Sequence, residues 1–249
     1  MEGGNQETQE VLLRWLGSLL MNAWGSWEPT GPHELIGISA RQIYDEVKAT
    51  LESIRDKEGR AGTARFLFCG MPGVGKTTLA NLLADWWTNN KWNVTTYDGV
   101  SVSIDTVVQI ERDALGGSLF GRNRALIINE CDLVTQGAQN KLLGVLERFP
   151  AGYVVFGTSN LKPVSQGVLD LKDASKKKKS EEWLVPRYAS RFTQKAVKSP
   201  TIQETAEEVS ELTGVPVEVC KNAAQKSAGD IRQTLSFIGE YESAIATIQ

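Results

Sequence analysis

The sequence predicts an α/β fold: a parallel sheet between two layers of helices, a three-layer αβα sandwich, followed by a small α-helical domain. Three observations predict it. Between Arg65 and Asn160, short apolar runs of strand length alternate with segments whose apolar residues recur at helical spacing, a rhythm that folds as parallel strands joined by crossover helices. A glycine-rich stretch, GMPGVGKTT, stands between the first of those strands and the first of those helices. From Thr201 onward the strand pattern is gone and every segment reads as helix.

The elements follow in order. Residues 1–9 are polar, and VLLRWLGSLLMNAW from Val11 to Trp24 has helical spacing, so it is expected to pack on the body or to dock a partner. GSWEPTGPHELIG is punctuated by Gly and Pro and reads as a loop. Ser39 is expected to cap a helix over ARQIYDEVKATLESIRDKE. RFLFCG is a buried strand, followed by a helix from about Lys76 through Trp87. NVTTYDG and SIDTVVQIERDAL form the next strand and helix, RALIINE and AQNKLLGVLERF the third pair, and YVVFGTSN the fourth strand. The stretch 161–186 breaks the rhythm with a loop holding ASKKKKSEE. Three helices close the chain: IQETAEEVSELTG, VEVCKNAAQKSAG and DIRQTLSFIGEYESAIA. The expected division is 1–33 as an N-terminal helix and loop, 34–198 as the core, and 199–249 as the helical domain.

Composition narrows the function. A formal net charge of −3 over 249 residues gives no overall basic footprint for nucleic acid, which leaves a local patch as the route to DNA. Cys69, Cys131 and Cys220 lie far apart without C-x-x-C spacing, so neither a disulfide framework nor a zinc site is expected and a reducing compartment is the simplest setting. With a single histidine, His33, no His-built metal centre or catalytic triad is expected. No apolar run approaches the roughly 18–20 residues that span a bilayer. The expected location is the cytoplasm, with nucleoid association if DNA is a partner.

The chemistry concentrates at strand ends. Gly70 to Thr78 fits G-x-x-x-x-G-K-[ST] between a strand and a helix. In that pattern the glycines let backbone N–H groups curl around phosphates, Lys76 reaches the β and γ oxygens, and the Thr77 hydroxyl meets Mg²⁺. The expected nucleotide contacts are Gly70, Pro72, Gly73, Val74, Gly75, Lys76, Thr77 and Thr78. The third strand ends in ALIINECDLVT, where an acidic pair is usual: an aspartate on magnesium-bound water, then a glutamate that polarises the attacking water. Here the first position is an amide, Asn129, which accepts a hydrogen bond but brings no charge. Glu130 keeps the water-polarising role, and hydrolysis is expected, slower or with weaker magnesium dependence. Asn160 ends the fourth strand where it can orient a water. Arg187 and Arg191 in RYASRF can each serve as a charge stabiliser for a neighbouring subunit's nucleotide, and Arg232 in GDIRQTL can reach back to the phosphates.

In this order the motifs resemble those of the AAA+ ATPases, and within them the clamp-loader clade. The resemblance covers nearly all the chain after about residue 34. HELIGISARQIYDEVKATLESI is similar to the segment that lies beside the adenine; GMPGVGKTT resembles Walker A; LIINECD resembles Walker B with Asn129 in place of its aspartate. LVTQGAQNKLLGVLERF resembles the clade's helix after Walker B, and TSN its sensor 1. ASRF is similar to the Ser-Arg-Cys motif with Phe192 in place of cysteine, which makes Arg191 the arginine-finger candidate. GDIRQTL is similar to sensor 2. The stretch between Asn160 and Arg191 is longer than in compact clamp-loader subunits, and the likeness stops at the helical lid, without the collar.

The resemblance implies a P-loop NTPase core with a helical lid, ATP and Mg²⁺ as cofactors, and catalysis by Glu130, Asn160, Arg191 and Arg232, with Thr77 and Asn129 on the metal through water. It implies a ring or spiral of this chain or its relatives, pentamer to heptamer, with ATP between subunits, that loads or remodels a protein assembly on DNA. Candidate DNA contacts are Ser101, Ser103 and Thr106 and the lysines Lys176, Lys177, Lys178 and Lys179. The protein client is unidentified, and no membrane is involved. Two alternatives stay open: a remodeller of protein complexes without DNA, and an ATP-binding structural subunit with little hydrolysis.

Overall fold

In the computed structural model the first apolar run, Ala64–Cys69, becomes the strand β1, next to the edge of a five-stranded sheet. The structure describes residues 27–55, 63–116, 123–163 and 184–248. The helix expected over Val11–Trp24 and the lysines 176–179 lie outside them. The other strands are β2 (Val94–Asp98), β3 (Arg124–Asn129), β4 (Tyr153–Ser159) and β5 (Thr193–Ala196), paired in parallel in the order β2-β3-β4-β1-β5. Helix α1 (Ile38–Arg55) precedes β1, and α2 (Lys76–Thr88), α3 (Ile104–Leu115), α4 (Gln136–Leu146) and the one-turn α5 (Pro186–Ala189) follow in chain order. The lid comprises α6 (Ile202–Thr213), α7 (Val217–Lys226) and α8 (Ile231–Ile248).

Both faces of the sheet are covered, as parallel strands require, and successive residues point to opposite layers. Phe66, Phe68, Ala125, Ile127, Val154 and Phe156 join Val47 and Leu51 of α1 and Leu79, Leu83 and Trp87 of α2. Leu67, Cys69, Leu126, Ile128 and Val155 join Val107 and Ile110 of α3, Leu142 and Val145 of α4, and Tyr188. The lid has its own cluster around Val209, Cys220 and Ile238, to which Ile36 of the entry loop belongs and against which Trp27 packs.

Two expectations are corrected. The sequence reading finds four strands; the fifth, TQKA, has one apolar residue in four and carries no hydrophobic run. It is an edge strand held by backbone pairing to β1, Phe66↔Thr193 through Cys69↔Ala196. Ser39 does not cap α1, which begins one residue earlier at Ile38. Instead the Gly37 and Ile38 N–H groups donate to Glu208 Oε2 and Glu204 Oε1 of α6, each at 2.7 Å. The Ser39 hydroxyl accepts from the Lys198 N–H at 3.1 Å. Two carboxylates from the lid thus satisfy backbone donors that a local cap would otherwise serve.

Candidate active site

The carboxyl ends of β1, β3 and β4 converge on one cleft of about 520 Å³, closed on its far side by the lid. Its polar end is the glycine-rich loop. Gly73 and Gly75 take positive φ values of 75° and 85°, conformations that L side chains rarely adopt. Gly75 offers no side chain to cap α2, so the first turn of that helix turns its N–H groups toward the loop, the geometry that receives phosphate oxygens. Val74 is buried in the core beneath it. A Cβ on Gly70 would lie 2.4 Å from the Val197 carbonyl oxygen, so this glycine lets β5 close on the loop.

The lid also holds the loop. The Ile231 N–H, at the start of α8, donates to the Gly73 carbonyl at 3.2 Å. The Asp230 carboxylate accepts from Gln233 N–H at 2.9 Å and lies so close to Gly73 that a Cβ there would meet it at 2.1 Å. Arg232, two residues on, lines the cleft.

Lys76 is 7% exposed. Its ammonium donates to the Gly70 carbonyl at 2.9 Å, the Met71 carbonyl at 2.6 Å and Asn160 Oδ1 at 3.0 Å. Burial lowers its pKa, and the nearby Asp132 carboxylate opposes that shift. Asp132 is the acid that is buried among the described residues; its Oδ1 accepts from the Asn160 N–H at 3.3 Å. The pair Lys76 and Asp132 therefore brackets Asn160 from both sides.

Glu130 lines the cleft. Its φ of 52° is left-handed, an uncommon conformation for a residue with a side chain and one that clusters at functional sites. It is held by the Glu130 N–H donating to Thr158 Oγ1 at 3.0 Å. At the strand end before it, the Thr77 hydroxyl donates to Asn129 Oδ1 at 3.3 Å. These two oxygens are the hard neutral donors that suit Mg²⁺. Among the described residues no group of three His, Cys, Asp or Glu side chains could hold a metal by itself; Mg²⁺ needs no such cage when it travels with phosphates and keeps part of its water shell. The residues present fit the ion.

The opposite end of the cleft is apolar, lined by Trp27, Leu35, Ile36, Ile231 and Leu235, a surface for a flat base. Thus the structure gathers Pro72, Gly73, Gly75, Lys76, Thr77, Thr78, Glu130, Asn160 and Arg232 around one space. It does not bring Arg191 there. Thr193 pairs with Phe66, which at about 3.3 Å per residue puts the start of β5 about 13 Å below the level of Gly70, and Arg191 precedes it in the turn after α5. Arg191 sits half-exposed in an ion pair with Glu147 at 2.7 Å, and Arg187 is exposed. The hydroxyls of Ser101, Ser103 and Thr106 close the start of α3 on itself: Ser103 and Thr106 form a capping box, and Ser101 donates to the Asp98 carbonyl at 2.7 Å.

Sequence reasoning gave no role to Asp98, Asp132, Asp230, Asn81 or Trp27. The Asp132 signal was visible in NECD and the Asp230 signal in GDIRQTL. Trp27 and Asn81 line the cleft from a loop and a helix whose patterns show nothing special.

Residues 66–169 match the family model described as ATPase family associated with various cellular activities (AAA). Two replication factor C small subunits of Pyrobaculum arsenaticum are 32% identical over 113 residues, 42% of this chain and 33% and 32% of theirs. The match thus spans about a third of the length of these curated relatives. Two variants of RuvB from Thermotoga maritima resemble the structure with TM-scores of 0.60 and 0.59, each at 19% identity, over 84% and 86% of this chain and 63% of those chains. That likeness is one of fold, a P-loop NTPase sheet with flanking helices and a helical lid. Among the described residues no helix is long and apolar enough to cross a membrane.

Proposed function

We propose that this chain is an ATPase of the AAA family: it binds MgATP in the cleft between sheet and lid, hydrolyses it, and uses the cycle in a clamp-loader-like ring or spiral to load or remodel a protein assembly on DNA. The observation that carries this reading is the gathering of Lys76, Thr77, Glu130, Asn160 and Arg232 around one cleft that ends in an apolar base-sized surface.

The roles follow from position. The loop N–H groups and Lys76 hold the phosphates, and phosphate oxygens take over the donors that Lys76 now gives to two carbonyls. Thr77, and Asn129 through water, would hold Mg²⁺, which would supply positive charge against the phosphates. Glu130, which lines the cleft, polarises the attacking water. Asn160, fixed by Lys76 and Asp132, orients that water. Arg232 reaches the phosphates from the lid.

Phosphate release tests the reading. Glu130→Gln should lower turnover by about 10²–10⁴, the usual worth of a general base, while fluorescent ATP still binds. If the unmodified chain releases no phosphate with magnesium, with or without duplex DNA, hydrolysis is wrong and the ATP-binding structural subunit stands instead.

The DNA contacts belong to the proposal as well. Because the Ser101, Ser103 and Thr106 hydroxyls are engaged within the start of α3, the helix-start backbone and Lys176 to Lys179 are the better candidates. Replacing the four lysines by alanine should weaken duplex binding at every sequence and flatten its salt dependence by about 0.9 in slope per lost phosphate contact. An unchanged slope would favour a remodeller of protein complexes without DNA.

A further inference from the structure

The amide at the end of β3 has a carboxylate beside it, from a different strand. Parallel pairing puts Asp98, the last residue of β2, opposite Asn129, the last of β3. Asn129 Nδ2 donates to Asp98 Oδ1 at 3.4 Å, and Asn129 Oδ1 accepts from the Thr77 hydroxyl at 3.3 Å. The close approach depends on the next residue. A Cβ on Gly99 would lie 2.0 Å from the Glu130 carbonyl oxygen, so any other residue there would force the end of β2 away from β3.

We propose that Asp98 is a positioning residue for the metal side of the site, and that Asp98 and Asn129 together do what a single strand-end aspartate does elsewhere. The proposal rests on the reading of the cleft as a MgATP site. An amide has a donor end and an acceptor end. With a carboxylate at 98, only one orientation of Asn129 works: the NH₂ toward Asp98 and the carbonyl oxygen toward Thr77. The flipped amide would set two oxygens against each other at Asp98 and aim N–H bonds at a cation. Asp98 therefore decides which atom of Asn129 faces the metal, and it returns to the strand ends the negative charge that Asn129 lacks. A lone Asn129→Asp exchange does not repair the site, because it leaves two carboxylates at hydrogen-bond range, where like charges disfavour one another.

The test compares the unmodified chain, Asp98→Asn, Asn129→Asp and the exchanged pair Asp98→Asn with Asn129→Asp. The readout is binding of a fluorescent ADP analogue, titrated with and without Mg²⁺, with an unfolding midpoint for each variant as a folding control. Asp98→Asn should cut the tightening that Mg²⁺ confers by about 10–100-fold, the usual cost of losing an outer partner of a metal ligand, and leave magnesium-free binding unchanged. Asn129→Asp alone should not improve on the unmodified chain, and the exchanged pair should recover its magnesium effect to within a few-fold. Equal magnesium effects in Asp98→Asn and the unmodified chain, or an Asn129→Asp variant as good as the exchanged pair, would overturn the proposal while sparing the MgATP reading. If Mg²⁺ does not tighten binding to the unmodified chain, that reading fails first and the proposal fails with it.

Discussion

The two faces of the sheet bury similar amounts of chain in different ways. On the face covered by α1 and α2, Phe156 stacks between Phe66 and Phe68 with ring centroids 6.0 Å apart on either side, and Trp87 is 1% exposed. Its polar atom reaches out only to the Gly152 carbonyl, at 3.0 Å. On the face covered by α3, α4 and α5, polar groups run through the core. Gln139, 1% exposed, donates to the Val134 carbonyl at 2.8 Å and accepts from the Val185 N–H at 2.7 Å. The Tyr188 hydroxyl lies 3.8 Å from Cys131 Sγ. Those bonds join the turn after Glu130 to the turn that carries Arg191. One face is held by apolar packing; the other carries buried hydrogen bonds from the turn after Glu130 to the segment before Arg191.

The largest effect expected from breaking that link is at its exposed end. Arg191 lies far from its own cleft, so any catalytic role must be played on a neighbouring subunit's nucleotide. A positioned arginine of this kind is typically worth about 10³–10⁵ in rate. Arg191→Ala should keep ATP binding and lose turnover by that order, with Arg187→Ala affected less. Mixing Lys76→Ala with Arg191→Ala chains should return part of the activity, because some interfaces then pair two intact partners. Mixed oligomers without recovered activity would remove Arg191 from a shared site.

Next in size is a truncation on the apolar face. Trp87→Ala should cost about 3–5 kcal/mol of stability, read from a denaturant unfolding midpoint, with turnover per folded molecule unchanged. The smaller stability effect, and the more informative one, comes from the polar face. Gln139→Leu leaves a buried carbonyl and a buried N–H unpaired and should cost about 1–3 kcal/mol. Unlike Trp87→Ala, it should lower turnover per folded molecule while ATP binding holds. If both variants lose stability alone, the buried polar groups are packing and the contrast between the faces has no functional content.

How legible this was depended on which physical rule was at work. β1, β3 and β4 announce themselves as apolar runs because parallel strands are buried on both faces; β4 is buried throughout. β5 does not, since an edge strand needs backbone partners rather than an apolar pattern. The phosphate loop reads from sequence because its glycines and lysine are consecutive. The bond from Asp98 to Asn129 does not, because it depends on the register between β2 and β3, and residues 31 positions apart show no pattern of their own. The cap of α1 was misread for the same reason: Ser39 is a reasonable local cap, but the acceptors come from residues 166 and 171 positions downstream.

Those distant caps bear on how the chain comes to be folded. A chain made from its amino end tends to fold each unit as it emerges, yet the N–H groups at the start of α1 must wait for Glu204 and Glu208 in α6. Arg41 waits for the same Glu208. Until then the first helix of the sheet domain emerges with its start unsatisfied and solvated. The helix α6 thus acts as a clasp, and α1 is not latched until Glu204 and Glu208 have emerged. A nascent chain stalled before residue 199 should hold α1 loosely, and one stalled well beyond Glu208 should hold it firmly, a difference that amide exchange at Gly37 and Ile38 would register directly.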